Sequence, residues 1–318
     1  MENKYNIKLL SMAGLGGSAF GIALIELDKE HNNIKVLSSD MSTPAGLDKF
    51  KSSCVDKFIN VGIAEQNLIG MAAGLSSEGY KVICVAQASF LTMRGFEQIR
   101  QYCGYMGKPL ILIGVGSGLS LQYMGNTHYS MEDLALLRTI PKMNVIAPAD
   151  SLEAIKALQA AYYSTSPCYI RLFGGTNTPV VYNQDYDFKI GKAVSLKEGT
   201  DIQIIATGSM VSVALAAAEL LTAEGVSASV VDMHTIKPLD TAIISMDKKL
   251  IVTLEEHGII GGLGSAVAEF LSCSAKHPKL LRLGIEDRYL SVGSYQYLLK
   301  EASLSAVQIK ENILKEII

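Results

Sequence analysis

The sequence predicts an α/β protein of two doubly wound domains, each with a mostly parallel sheet, the second being the smaller. Three observations predict it. Short apolar runs alternate with helix-period segments; helix starts carry acids at capping-box spacing; and one irregular stretch divides two such alternations. In the first part the strands are IKVLSS (34–39), FINVGI (58–63), KVICVA (81–86), PLILIGVG (109–116), NVIAP (144–148) and CYIRLF (168–173), with helices between them. Ser130 opens one helix with Asp133 three residues on, and Asp150 opens another with Glu153 at the same offset. Residues 174–190, GGTNTPVVYNQDYDFKI, break the periodicity and read as a linker. A second alternation follows: DIQIIATG, the helix MVSVALAAAELLTAEG, VSASVVDM, KKLIVTLEEH, a helix after GGLG, and KLLRLGIED.

Composition excludes several classes of function. The 318 residues are 49% hydrophobic and 19% charged, enough to bury large cores. Lysine and arginine total 28 against 31 acids, with no basic cluster of the kind that grips a phosphate backbone, so no nucleic-acid partner is expected. No apolar run reaches the roughly 18 residues a membrane helix needs, and the start, MENKYNIKLL, lacks a signal-peptide core. These features lead us to expect a soluble, cytoplasmic chain with no membrane partner. Five cysteines without a CxxC pair read as reduced, structural thiols, and no metal cluster is visible.

Ligands of such sheets bind beyond the carboxyl ends of the strands. There, in VGIAEQNLIGMAAG (61–74), Glu65 stands alone among neutral residues where a strand runs into a helix. Leu68, Ala72 and Leu75 give that helix a packed face. Glu65 falls in its first turn, where the helix dipole attracts negative charge. Decoration of a helix N-terminus would account for an acid there, and the residues alone leave that alternative open.

The ordered blocks FINVGIAEQNLIGMAAGLSSEG, ASFLTMRGFEQIRQ, NTHYSMEDLALLRTIPKMNVIAPAD, ATGSMVSVALAAAELL, IKPLD and EEHGIIGGLGSAVAEFL resemble the carboxyl-terminal half of transketolases, which use thiamine diphosphate. The resemblance covers nearly the whole chain. It implies a pyrimidine-binding domain over residues 1–175, a linker over 176–189 and the family's carboxyl-terminal domain over 190–318. It implies that Glu65 shares a proton with N1′ of the cofactor's aminopyrimidine, that Phe90 stacks on that ring with Met93 and Phe96 beside it, and that His128 meets the reacting oxygens of the substrate. All three apolar residues also fit an ordinary core, since Phe96, Ile99 and Cys103 already make a buried helical face. The residue after the family's histidine is commonly glutamine; here it is Tyr129.

Two departures from the family pattern matter. The GDG motif and downstream asparagine that hold Mg²⁺ and the diphosphate have no counterpart here. GLGGSA (14–19) is a poor substitute, because no apolar strand precedes it and its third position is Ala19. The resemblance therefore implies a split enzyme. A separate amino-terminal subunit would carry the diphosphate domain, with an α2β2 assembly expected. In addition, the two arginines, serine and histidine that grip a sugar phosphate align with Gly17, Gly174, Pro44 and Gly116, with Ser42, Thr43 and Ser117 nearby as partial compensation. An aspartate that reads a substrate hydroxyl aligns with Met124. The expected substrate is therefore a ketose or an aldehyde or ketone acceptor without the usual phosphate grip, and the three glycines are expected to leave it space.

Two other functions remain open on sequence: the β-chain of a 2-oxo-acid dehydrogenase, and a non-catalytic transketolase-like chain. The glycines of GGLGSAVAEF lack the lysine of a phosphate loop and read as packing and dimer contact, while Glu255, Glu256 and His257 read as interface or helix-capping groups.

Overall fold

The computed structural model describes residues 5–15 and 19–317. Strands β1 (Ile34–Ser38), β2 (Phe58–Asn60), β3 (Lys81–Gln87), β4 (Ile111–Ser117), β5 (Asn144–Ile146) and β6 (Cys168–Phe173) come from the first half of the chain. From the second come β7 (Val194–Lys197), β8 (Ile202–Ala206), β9 (Ala228–Asp232), β10 (Thr235–Lys237), β11 (Leu250–Gly258) and β12 (Lys279–Ile285). They form two sheets, ordered β10-β5-β6-β4-β3-β1-β2 and β12-β11-β8-β9-β7. Among these described strands, only β10 and β7 run antiparallel to their neighbours. Two mostly parallel α/β layers are therefore present, as the alternation requires.

Near-continuous burial along β3, β4, β6 and β8 explains why these strands read as apolar runs rather than alternations: helices cover both faces. One face of the first sheet packs Leu24, Phe50, Ile83 and Ile155. The other face packs Leu68, Leu112 and Tyr169 and continues without a break into Met233, Ile236, Ile251 and Leu263 of the second half. β10 extends this mixing to the backbone, since its residues follow β9 in the chain yet pair with β5 of the first sheet.

The second predicted capping box forms. Asp150 accepts from Glu153 N, and Glu153 Oε2 reaches back to Ala149 N at 2.7 Å. The first does not. The helix is Asp133–Arg138 with Glu132 at its N-cap, and Ser130 instead bridges Gly118. Asp133 is withdrawn from capping because Arg171 Nε and the Tyr169 hydroxyl hold its carboxylate, at 2.8 and 2.6 Å. Predicted strand 58–63 also stops early: Gly62 takes φ +73°, a turn that needs glycine and ends β2 at Asn60. Irregular as it is, the stretch after β6 is tied down. Val181 N and Tyr182 N both donate to Asp150, and the Tyr182 and Tyr186 hydroxyls donate to Asp232 and Glu153.

Among the described residues no helix is long and apolar enough to cross a membrane.

Candidate active site

In the first sheet, β1 is followed by β2 on one side and β3 on the other, so the topological switch point lies between β1 and β3. Three sequence-predicted residues converge just past the carboxyl ends of these strands. Glu65 begins the helix Glu65–Ser77, whose N-cap Ala64 offers no side-chain cap. Backbone and hydroxyl groups fix the entry instead: Val61 N donates to Ser38 O, and Ser39 Oγ donates to Gly62 O while accepting from Ala64 N. Glu65 is left 5% exposed. Phe90 lies in the short helix Ala88–Arg94 that follows β3, and its ring meets the His128 ring edge-on, with centroids 5.1 Å apart. Gln87, the last residue of β3, donates from Nε2 to the His128 carbonyl at 2.8 Å.

Arg94 joins the two halves of this constellation. Its guanidinium lies 3.7 Å from the Phe90 ring centroid, and its Nη1 stands 3.4 Å from both carboxylate oxygens of Glu65. A planar nitrogenous group thus already stacks on Phe90 while facing the Glu65 carboxylate. The sequence reading missed Arg94 and Gln87. The signal for Arg94 was present in its spacing, because four residues along a helix place it on the same face as Phe90.

Met93 is 43% exposed on the same short helix, and Phe96 packs partly buried against the first core. Met124 is exposed at the tip of the loop leading to His128. The expectation that the glycines leave space is corrected at two of them. A Cβ on Gly116 (φ +69°) would meet Leu121 Cδ1 at 3.1 Å, and one on Gly174 would meet Ser120 Oγ at 3.0 Å and Gly116 Cα at 3.2 Å. Close packing of the loop after β4 fills that volume. Gly17 lies outside the described residues, as do Gly16 and Ser18 of GLGGSA. Ser117, offered as a compensating donor, is buried with its hydroxyl unpartnered.

Glu255, Glu256 and His257 have structural work. Leu263 N and Gly264 N donate to Glu255, capping the helix Leu263–Leu271. Burial raises Glu255 to about 7. Glu256 accepts from Leu119 N, the Ser209 hydroxyl and the Tyr295 hydroxyl, tying the second sheet to the loop after β4. Burial lowers His257 to about 4, so its neutral ring donates from Nδ1 to Gly258 O and accepts at Nε2 from Ala135 N. Among the described residues no three His, Cys, Asp or Glu side chains are grouped to hold a metal.

Fold and site together define an α/β protein with a carboxylate, an aromatic face and a histidine gathered at the switch point of a parallel sheet. Comparison with known proteins narrows this. The family model for the transketolase pyrimidine-binding domain matches residues 16–173, and that for the transketolase C-terminal domain matches 191–309; the chain belongs to the transketolase family. It is 38% identical over 299 residues to a transketolase C-terminal section of Methanocaldococcus jannaschii, covering 93% of this chain and 94% of that protein. It is 35% identical over 289 residues to a 6-deoxy-6-sulfo-D-fructose transketolase subunit of Clostridium sp. strain MSTE9, covering 90% and 89%. A solved split-gene transketolase, an inactive β4 tetramer, superposes with a TM-score of 0.86 at 38% identity over 94% of this chain and 96% of that one. Membership of the family implies dependence on thiamine diphosphate. The residues present fit its pyrimidine end, because the pairing of Arg94 with Phe90 and Glu65 demonstrates room for a flat, hydrogen-bonding group between ring and carboxylate.

Proposed function

We propose that this chain is one component of a split, thiamine-diphosphate-dependent transketolase that moves a two-carbon ketol unit from a ketose to an aldehyde or ketone acceptor. The observation that carries the reading is Glu65, a buried carboxylate at a helix start, reached across Phe90 from His128. Thiamine diphosphate, when bound, supplies the nucleophilic carbon. Glu65 would hold a proton at the pyrimidine N1′, Phe90 would stack on that ring with Met93 and Phe96 flanking it, and His128 would hydrogen-bond the substrate's oxygens. Residues 1–175 would form the pyrimidine-binding unit, 176–189 the linker and 190–318 the carboxyl-terminal unit.

Diphosphate and Mg²⁺ would be held by an amino-terminal partner subunit, in an α2β2 enzyme of the cytoplasm. Relatives that are themselves single components of larger enzymes support this, including one chain of an apulose-4-phosphate transketolase from Phocaeicola vulgatus, 35% identical over 281 residues. So does the structural relative described as an inactive β4 tetramer, which matches the expectation that one kind of chain alone lacks activity. For the substrate we favour a sugar outside the common sugar phosphates, contacted near Met124 and Gly116. Support comes from the absent phosphate donors and from relatives named for a sulfo-sugar and for apulose 4-phosphate.

The test is reconstitution with a partner chain carrying the diphosphate motif. Glu65→Gln should cut turnover by on the order of 10²- to 10⁴-fold, the usual contribution of a positioned proton. Undiminished turnover would refute the proton role. Efficient exchange between xylulose 5-phosphate and ribose 5-phosphate would refute the substrate reading alone.

A further inference from the structure

The loop that carries His128 is held from two sides. From the first sheet, Gln87 grips the His128 carbonyl. From the second half of the chain, Asn126 makes a reciprocal pair with one backbone residue: its Nδ2 donates to Leu290 O at 2.7 Å, and Leu290 N donates to its Oδ1 at 3.2 Å. Asparagine can do this because its amide offers a donor and an acceptor side by side, matching one peptide residue. Neighbouring contacts point the same way. Tyr295 N donates to Gln122 Oε1 at 3.4 Å, and the Gly125 backbone, at φ +75°, runs so close to Val292 that a Cβ there would lie 3.1 Å from its Cγ2. Tyr129, where the family commonly has glutamine, is buried; its hydroxyl donates to Gln122 O at 2.5 Å and lies 3.3 Å from Ser291 O.

The anchoring segment is itself fixed. Ser291 N and Oγ both donate to the Glu301 carboxylate, and Arg288 Nη2 donates to Glu301 O at 2.7 Å. Loop and segment are 164 residues apart in the chain, so the pairing links the two halves of the chain two residues from His128. Between Asn126 and His128 lies a tight turn, closed by His128 N on Gly125 O at 2.9 Å, with Thr127 Oγ1 2.9 Å from His128 Nδ1. A turn this short transmits the position of Asn126 to the imidazole.

We propose that Asn126 is a positioning residue for His128, and that through it the second domain sets the aim of the histidine ring. The functional consequence rests on the reading of His128 as the group facing the substrate. Loss of the Leu290 pair removes the reciprocal tie on the amino-terminal side of His128, leaving Gln87, Tyr129 and the Gly118–Ser130 bridge to hold the turn, and a reacting group displaced by about 1 Å costs on the order of a hundredfold in rate.

The test uses the full chain with labelled histidines, His128 assigned by the signal lost in His128→Asn. In the wild type the Phe90 ring, with its centroid 5.1 Å from that of His128, should displace the His128 resonances. Asn126→Ala and Asn126→Asp, the second keeping size but losing the donor, should both move those resonances toward their unstacked values. They should also speed amide exchange across residues 125–129 at least about tenfold, while β4 amides stay unchanged. Glu301→Gln, which acts from the far side of the segment, should shift both in the same direction to a smaller extent. Unmoved His128 resonances and unchanged loop exchange in both Asn126 variants would overturn the inference. In the two-chain complex with 6-deoxy-6-sulfo-D-fructose as the donor probe, Asn126→Ala should lower kcat/KM by about ten- to a hundredfold without weakening thiamine diphosphate binding. If His128→Ala keeps full turnover while Asn126→Ala still moves the His128 signal, the site reading fails and the positioning role stands. If His128→Ala abolishes turnover and Asn126→Ala leaves both rate and signal untouched, the positioning role fails.

Discussion

Arg94 occupies the Phe90 face and the Glu65 carboxylate, the two surfaces to which the proposed function assigns the aminopyrimidine. It is half exposed, so its contacts are worth little individually: roughly 0.5–1 kcal/mol for the ring contact and 0.2–1 kcal/mol for the ion pair. Displacing it would therefore cost about 1 kcal/mol, and Arg94→Ala in the two-chain complex should tighten thiamine diphosphate binding by about fivefold. Titration calorimetry reads this directly, and weaker binding in the variant would show that Arg94 helps to hold the cofactor instead. That Glu65, Phe90 and His128 stand at strand ends was legible in the sequence because their motifs are contiguous. The contacts of Asn126 and Gln87 were not, because their partners lie 164 and 41 residues away.

At the level of strands and helices, Arg171 is the fastening with most at stake. From β6 it bonds Asp133 through Nε, and its Nη2 donates to Ser130 O and, across the domain boundary, to Glu256 O, both at 2.9 Å. Arg171 is 5% exposed and Asp133 fully buried, so removing one partner strands the other charge. Arg171→Met should lower unfolding free energy by about 3–5 kcal/mol, measured by denaturant titration. A loss under about 1 kcal/mol would mean that Asp133 finds solvent or another donor. The same ion pair explains why the box expected at Ser130 fails: spacing announces a cap, whereas a long-range arginine claims the acid. The long apolar strands β3, β4, β6, β8 and β11 were legible because burial on both faces leaves an unbroken apolar run. β7 and β10 were not, being short edge strands of four and three residues whose pairing is set by distant neighbours.

For the molecule as a whole, the seam around Tyr182 and Tyr186 makes stability depend on pH. Burial raises Asp232 to about 7 despite its bond from Tyr182, and burial followed by the charge of Asp232 raises Glu153. A carboxyl raised in the folded state contributes stability fully present below its unfolded value, about 4, and lost as pH rises through its folded value. His234 and His257, lowered by burial to about 4, act oppositely, their penalty vanishing by about pH 6.5. Near neutral pH the raised carboxyls then dominate, so stability should fall through pH 7, and Asp232→Asn should make the fall shallower; an unchanged slope would contradict this. Two layers of α/β structure were evident in the sequence, but their interlocking was not, because two apolar clusters and one strand cross the division that glycines and a proline mark. β10 has a practical meaning for anyone who clones the first domain by itself. A gene stopped inside the linker would code for a sheet whose β5 rim has lost its cover, with bare amides beside an uncovered apolar face, and such a fragment would be prone to stick to copies of itself rather than stand as an independent module.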